Sequence, residues 1–224
     1  MLKTRILTAL ILAPIAIIGI FFLPPLGFAI FTGVAISLGA WEWSNMAGYT
    51  SAAARTGYSA LVAVILVVVY PVPTLSLLWP GVLWWVLALL MVRAYPAGSQ
   101  IWGGSPVRAV MGLLVLVPAW VGLNHLRNGT LLFGDLDNGL VAILYVFLVV
   151  WVADIGAYFA GRAFGRAKLA PRVSPGKSWA GVWGGLAAVA LLAVAAGVLA
   201  AATLADTVLL LLASMVVAAI SVVG

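Results

Sequence analysis

The feature that most constrains the fold of this chain is a succession of long apolar runs with short polar connections. Eight such runs cover about residues 6–23, 26–44, 58–72, 75–92, 109–125, 139–160, 180–201 and 206–223. A helix needs about 20 mainly apolar residues to cross a ~30 Å hydrocarbon core. The runs do not alternate in polarity, as the strands of a membrane barrel would. The sequence therefore predicts an all-α polytopic bundle of about eight spans, forming one integral-membrane domain over residues 1–224.

Composition excludes several classes of protein. Hydrophobic residues make up 66% of the 224 residues and charged residues only 7%, whereas a soluble domain carries roughly a quarter charged residues. A soluble enzyme and a disordered chain are both excluded. The absence of cysteine excludes a disulfide framework and a Cys-ligated zinc site. The single histidine, His125, excludes a His-rich metal site, and we interpret it as an interfacial residue and not as a catalytic base.

The distribution of cations predicts the orientation in the membrane. If the N-terminus is cytoplasmic, ten of the eleven Lys and Arg residues fall on the cytoplasmic side of the predicted spans. Only Arg127 falls outside, in a loop that also holds Asp135 and Asp137. Such an excess is the positive-inside pattern. The net charge of +6 is therefore interpreted as an orientation signal, with no nucleic-acid partner expected.

One long polar stretch, residues 162–178, holds five of the eleven cations. A positive-inside anchor would explain these charges, but it would not explain the sequence Ser-Pro-Gly-Lys-Ser at 174–178. We interpret this segment as a rigid turn that presents backbone N–H groups and hydroxyls beside Lys177. Such a turn just before a helix N-terminus suits a phosphate.

The same segment does not form a P-loop by its spacing. A P-loop needs a glycine five residues before the glycine that precedes the lysine, and Pro171 stands there. No strand is predicted before the segment either.

Two acids lie inside apolar runs, where a charge is costly and marks a functional candidate. Asp154 shares a helix face with Tyr158 and Gly161 at helical spacing. Small residues nearby, Gly156 to Gly161, would let another helix approach closely. We favour metal or substrate-phosphate chemistry for Asp154, with a structural ion pair to a loop arginine as the alternative. For Glu42, near the cytoplasmic interface, a structural and a functional role stay equally open.

One long stretch of the sequence, together with a shorter one, carries a resemblance to a known family. The long stretch is Ala153-Asp154-Ile155-Gly156-Ala157-Tyr158-Phe159-Ala160-Gly161-Arg162, then Phe164-Gly165-Arg166, Lys168-Leu169-Ala170-Pro171, Val173-Ser174-Pro175-Gly176-Lys177-Ser178-Trp179 and Gly181. A weaker match covers Gly39–Trp43 and Met46–Gly48. In these residues the chain resembles the phosphatidate cytidylyltransferase (CDP-diacylglycerol synthase) family, and the similarity extends over essentially the whole chain.

The resemblance implies a reaction in phospholipid biosynthesis, in which CTP and phosphatidate give CDP-diacylglycerol and pyrophosphate. It implies a divalent cation, Mg²⁺ or another, that neutralises the crowded phosphates, with Asp154 as a candidate ligand or catalytic residue. Lys177 is the second candidate catalytic residue. The residues expected to contact the phosphates of CTP or phosphatidate are Ser174, Gly176, Lys177, Ser178, Arg162, Arg166 and Lys168.

One departure from the family pattern affects these expectations. The acid-rich signature that holds the family's principal metal ligands would follow Gly224, where this sequence stops. From the sequence alone we therefore expect a C-terminally truncated chain that is inactive or nearly so.

Two alternatives stay open, the first another enzyme and the second a protein of a different class. One is a CTP-dependent lipid-alcohol kinase, acting on a polyprenol or phytol, and the other is a lipid or ion transporter lined by Asp154 and Glu42. The predicted location is a bacterial inner membrane, multi-pass, with the active face cytoplasmic. The lipid bilayer is an expected partner, and small-residue helix faces are compatible with a homodimer.

Overall fold

The computed structural model describes residues 2–72, 74–129 and 139–222. The predicted outer acids Asp135 and Asp137, and the terminal Gly224, lie outside these ranges. The described elements are α1 (Leu2–Phe22), α2 (Pro25–Met46), α3 (Ala52–Val69), α4 (Thr74–Ala94), α5 (Ser99–Trp102), α6 (Ser105–Asn128), α7 (Gly139–Phe164), β1 (Lys168–Ala170), β2 (Ser174–Ser178), α8 (Trp179–Leu199) and α9 (Leu204–Ser221). The predicted all-α class is confirmed, with the two short strands as the exception within the described residues.

Seven of the described helices are long and apolar enough to cross a membrane: α2, α3, α4, α6, α7, α8 and α9. The part of α1 that the structure describes with its side chains contributes a further apolar segment, Leu10–Phe22. Helices are the expected solution, since hydrocarbon offers no partners for backbone N–H and C=O groups and a helix satisfies them internally. The prediction of a polytopic helical membrane protein is thus confirmed, and the eight predicted spans correspond to the eight long helices.

Local sequence explains where helices begin and end. Pro25 is the first residue of α2, where its missing N–H costs nothing. Gly48, with φ of +97°, follows the end of α2 in a conformation that favours glycine. Ser51 accepts a hydrogen bond of 3.2 Å from the Ala54 N–H and caps α3. The cap starts α3 at Ala52, earlier than the predicted start at residue 58, because Arg55 and Thr56 interrupt the apolar run.

The chain divides into two compact units, Met1–Asn128 and Gly129–Gly224, and each is described by itself. The single domain expected over residues 1–224 stays a prediction. In unit 1, the polar ends of buried aromatic residues are bonded to backbone carbonyls. Tyr58 donates to Ala109 at 2.8 Å, and Trp120 donates to Ala29 at 3.1 Å. These bonds tie α6 to both α3 and α2.

Two arginines of unit 1 contact opposite ends of α2. Arg55 contacts Glu42 near the C-terminal end, with 3.7 Å between Nη2 and Oε1, and its guanidinium stacks on Trp41 with 4.5 Å to the ring centroid. Arg127 lies at the N-terminal end, where it donates to the carbonyls of Ile20 and Leu23. The structure thus assigns Glu42 a structural contact, in line with one of its two predicted roles.

Unit 2 contains α7, the two strands, α8 and α9. Val149, Val189 and Ala218 form its buried core. Tyr145 of α7 and Ser214 of α9 share a hydrogen bond of 2.7 Å between their hydroxyls. The core thus holds together α7, α8 and α9, and the polar segment with the candidate site connects α7 to α8.

The polar segment differs from its prediction. β1 and β2 pair antiparallel, with Lys168 opposite Ser178 and Ala170 opposite Ser174, so a strand does precede residues 174–178. The expectation of no strand and the interpretation of Ser-Pro-Gly-Lys-Ser as a turn were both wrong. The chain reverses earlier, where the Val173 N–H donates to the Ala170 carbonyl at 3.1 Å, because Pro171 favours the first corner of a turn. The argument from Pro171 against a P-loop still holds.

Candidate functional site

The candidate site rests on a close contact between α7 and α8. A Cβ atom added to Gly156 would lie 2.6 Å from the Gly184 carbonyl oxygen, and one added to Gly185 would lie 2.9 Å from the Ala153 carbonyl oxygen. Only small residues allow two helix backbones to approach so closely. The prediction that the small residues after Asp154 accommodate another helix is confirmed, and that helix is α8.

The same packing positions the strand pair at the end of α7. Ser178 is 6% exposed and caps α8, since its Oγ accepts a hydrogen bond of 3.2 Å from the Gly181 N–H. A Cβ on Gly161 would come within 3.2 Å of the same Oγ. Ser178 therefore joins the end of α7 to the start of α8, and its hydroxyl keeps one proton that it can donate.

Lys177 extends from β2 toward the end of α9. Its Nζ donates a hydrogen bond of 2.7 Å to the carbonyl oxygen of Val222. A cation is favourable at this position, because the last carbonyls of a helix carry a partial negative charge. The side chain is exposed, so the ammonium group is also accessible from outside the chain.

Asp154, Tyr158 and Arg162 form a row of exposed side chains along α7. They follow one another at intervals of four residues, which places them on one helix face. Arg162 donates to the Tyr158 hydroxyl at 3.3 Å. Asp154 forms no ion pair or hydrogen bond with any residue that the structure describes. The alternative of a structural ion pair for Asp154 is therefore not seen in those residues.

The structure brings most of the predicted phosphate-binding residues to one end of unit 2. Ser174, Gly176, Lys177 and Ser178 all belong to β2, Lys168 belongs to β1, and Arg162 and Arg166 lie at or just after the end of α7. Asp154 stands apart, about 12 Å before Arg162 at a rise of 1.5 Å per residue. Gly176 is exposed with open space around its Cα, whereas Ser174 is half-buried.

The described residues contain no group of three His, Cys, Asp or Glu side chains that could hold a metal ion. Asp154 offers a single carboxylate. A single carboxylate fits the common type of Mg²⁺ site, in which one or two carboxylates and the phosphate oxygens of a substrate bind the ion together.

Sequence reasoning missed two features of this site. The contact between Lys177 and Val222 joins residues 45 positions apart, and no local signal predicts it. The capping role of Ser178 did have a signal, namely a serine directly before a long apolar run. The close packing also changes one expectation: the small face of α7 is covered by α8, so it no longer supports the homodimer, which stays a prediction.

Fold and site together define a class. Seven apolar helices of membrane-spanning length and a cation-rich strand pair at one end of unit 2 describe a polytopic α-helical membrane protein with a site suited to anions. The sequence profile of the cytidylyltransferase family matches residues 3–224, and this chain belongs to that family.

Several relatives are similar along most of their length. A phosphatidate cytidylyltransferase of Pseudomonas aeruginosa is 52% identical over 189 residues, which are 84% of this chain and 67% of the relative. One from Haemophilus influenzae is 38% identical over 86% of this chain and 72% of the relative. One from Brucella suis is 35% identical over 91% of this chain and 69% of the relative.

Proposed function

We propose that this chain is a phosphatidate cytidylyltransferase, which converts CTP and phosphatidate to CDP-diacylglycerol and pyrophosphate. The observation that carries the proposal is the cluster of cations on the strand pair and its flanks, together with an exposed carboxylate about two turns earlier in the membrane helix α7. The names of the relatives support it.

The proposed reaction joins a lipid phosphate to a nucleotide phosphate. An oxygen of the phosphatidate phosphate attacks the α-phosphorus of CTP, and the bond from that phosphorus to the bridging β-oxygen breaks. Pyrophosphate leaves with the bonding electrons. Both reactants are anions, so catalysis consists mainly of bringing them together and stabilising the charge that accumulates between them.

Each candidate residue has a proposed role in binding the phosphates that follows from its position. Lys177 in β2 and Arg166, two residues before β1, are both exposed and would attract the triphosphate or the lipid phosphate. Arg162 ends the row on α7 and lies between the strand pair and the carboxylate along the helix. Ser178 donates its remaining proton to a phosphate oxygen, while its own oxygen keeps α8 capped. A bilayer supplies the phosphatidate at the headgroup level, where juxtamembrane cations attract anionic lipids.

A divalent cation completes the proposal. Asp154 would hold Mg²⁺ together with phosphate oxygens of the substrates, and the ion would neutralise charge on the reacting phosphates. No described residue neutralises the Asp154 carboxylate, which supports this role. The cost of an uncompensated charge in a membrane helix, about 2.5–3.5 kcal/mol on insertion scales, favours a bound cation.

The test uses the purified chain in micelles that contain phosphatidate and a polyprenol, with CTP labelled in turn at the α- and the γ-phosphate. Transfer of the α-label to lipid, with release of pyrophosphate, supports the transferase. Transfer of the γ-label would instead support a lipid kinase and contradict the proposal. The sequence-based expectation of low turnover is measured in the same assay. CTP binding, measured by equilibrium dialysis, tests the site whatever the turnover.

Two matched pairs of variants locate the site. Lys177→Met is expected to weaken CTP binding by about tenfold or more, as the loss of a charge-assisted contact implies. Its control, Arg93→Met, removes an exposed cation of unit 1 and is expected to leave CTP binding unchanged. Asp154→Asn is expected to abolish the Mg²⁺ dependence of binding, while Asp206→Asn does not. Equal effects within either pair would contradict the assignment.

The proposed orientation places the strand pair on the cytoplasmic face of the inner membrane, where CTP is available. Reporter fusions at about residue 130 and after the last residue test this. The proposal expects an external signal at residue 130 and a cytoplasmic signal at the C-terminus, and a cytoplasmic signal at 130 would overturn it.

A further inference from the structure

Tyr158 is the central residue of the exposed row on α7. It lies one helical turn after Asp154 and one turn before Arg162, about 6 Å along the axis from each at a rise of 1.5 Å per residue. A substrate that contacts Arg162 and also reaches an ion held by Asp154 must therefore pass the Tyr158 side chain. The position of Tyr158 thus places it beside the phosphates of any such substrate.

Two contacts hold the Tyr158 side chain in place. Its ring meets the ring of Phe159 edge to face, with 5.4 Å between the centroids. Its hydroxyl oxygen accepts a hydrogen bond of 3.3 Å from Arg162 Nη1. The side chain is nevertheless 46% exposed, so these contacts leave part of it open to a ligand. A side chain that is already held in this way loses little further rotamer freedom when a ligand binds.

The hydroxyl proton of Tyr158 is available for a second hydrogen bond. A phenol hydroxyl can both donate and accept, and the bond from Arg162 uses only the oxygen. The proton is accepted by no residue that the structure describes. The positive guanidinium beside the oxygen polarises the O–H group and makes it a stronger donor. The acceptor that suits such a donor best is an anionic oxygen, because charge-assisted hydrogen bonds are the strong ones.

We propose that the Tyr158 hydroxyl donates this hydrogen bond to a phosphate oxygen of a substrate bound along α7, which makes Tyr158 a further catalytic residue. The inference rests on the proposed function, in which the substrates are CTP and phosphatidate. Both carry anionic phosphate oxygens, and the bound phosphates extend from the cation of Arg162 toward the ion at Asp154. The hydroxyl fixes the phosphates between these two charged groups, and such positioning is the main requirement of the proposed reaction.

The test compares Tyr158→Phe, which removes only the hydroxyl, with the wild-type chain and with Tyr95→Phe. Tyr95 belongs to unit 1 and is 44% exposed, so its variant controls for the loss of an exposed hydroxyl. Binding of labelled CTP and of labelled short-chain phosphatidate is measured by equilibrium dialysis with Mg²⁺ present. Tyr158→Phe is expected to weaken the binding of at least one ligand by about tenfold, as the loss of a hydrogen bond to a charged group implies. Tyr95→Phe is expected to leave both affinities unchanged.

The ligand that loses affinity identifies the phosphate that Tyr158 contacts. Unchanged binding of both ligands in Tyr158→Phe overturns the inference, and so does an equal loss in Tyr95→Phe. These results leave the proposed function standing, since the wild-type chain still binds its substrates. If the wild-type chain binds neither ligand, the proposed function itself fails.

A double-mutant cycle separates contact with the ligand from support of Arg162. The effect of Tyr158→Phe is measured with Arg162 present and again in the Arg162→Met background. A hydroxyl that touches the phosphate is expected to matter in both, with at least about a threefold loss of affinity when the guanidinium is absent. A hydroxyl that only positions Arg162 would have no further effect in that background, and this result would overturn the assignment. Helicity, followed by circular dichroism, is expected to be the same in all variants, because both side chains are exposed.

Discussion

Replacing Gly156 by alanine tests how the site is supported. The new Cβ would lie 2.6 Å from the Gly184 carbonyl oxygen and 2.7 Å from the Ala188 Cβ, whereas ordinary carbon contacts fall at about 3.5–4.0 Å, so α7 and α8 must separate by about 1 Å. Overpacking of this kind costs about 1–3 kcal/mol. Alanine also gains about 1 kcal/mol in helix propensity over glycine, which offsets part of the loss.

A matched control removes the propensity gain from the comparison. Gly57 lies in α3 with nothing within 4 Å of an added Cβ, so Gly57→Ala is expected to stabilise the protein. The free energy of unfolding of both variants is measured by denaturant titration in mixed micelles, with helicity followed by circular dichroism. The difference between the variants isolates the contact and is expected to be about 1–3 kcal/mol. A difference below about 0.5 kcal/mol would refute the close approach of α7 and α8, because overpacking could not then be present.

Two further predictions concern single contacts. Ser178→Ala and Ser51→Ala each remove a helix-capping hydrogen bond of 3.2 Å, and each is expected to lower the free energy of unfolding by about 1 kcal/mol. Only Ser178→Ala is also expected to weaken CTP binding. Equal CTP binding in both variants would count against a phosphate contact of Ser178. Glu42→Gln is expected to change stability by less than about 0.5 kcal/mol, since the carboxylate is 72% exposed and 3.7 Å from Arg55. The same denaturant titration measures it, and a loss above about 1 kcal/mol would show that the pair is more than a surface contact.

The helices could be predicted because the bilayer leaves the backbone few alternatives. Their boundaries were harder, and α3 shows why. Its first two turns contain Arg55 and Thr56, which lower the hydropathy, yet Ser51 starts the helix before them. The strand pair was missed for a different reason. Pro-Gly in Ser-Pro-Gly-Lys-Ser is a common turn signal, and only pairing with β1 makes the segment a strand.

The chemistry of the candidate site was easier to predict than its geometry. An acid within a membrane helix and a cluster of cations are visible in the sequence itself, because each is costly or rare in such a chain. Which groups touch which depends on how distant segments pack. Gly184 of α8, which meets Gly156, and the carbonyl at the end of α9 that accepts from Lys177 lie far along the chain. Composition therefore indicates what the site contains, and packing decides how it is arranged.

Through the bond from Lys177 to Val222, an anion bound at the proposed site on the strand pair would be thermodynamically linked to the end of α9. An ammonium group has three N–H donors, and the Val222 carbonyl uses one of them, so a phosphate can bind without breaking that bond. Its negative charge nevertheless offsets the positive charge that stabilises the end of the helix. Linkage is reciprocal. Any change that stabilises the last turn of α9 would therefore alter the affinity of the proposed site for an anion. A bound anion would alter the free energy of opening that last turn by the same amount.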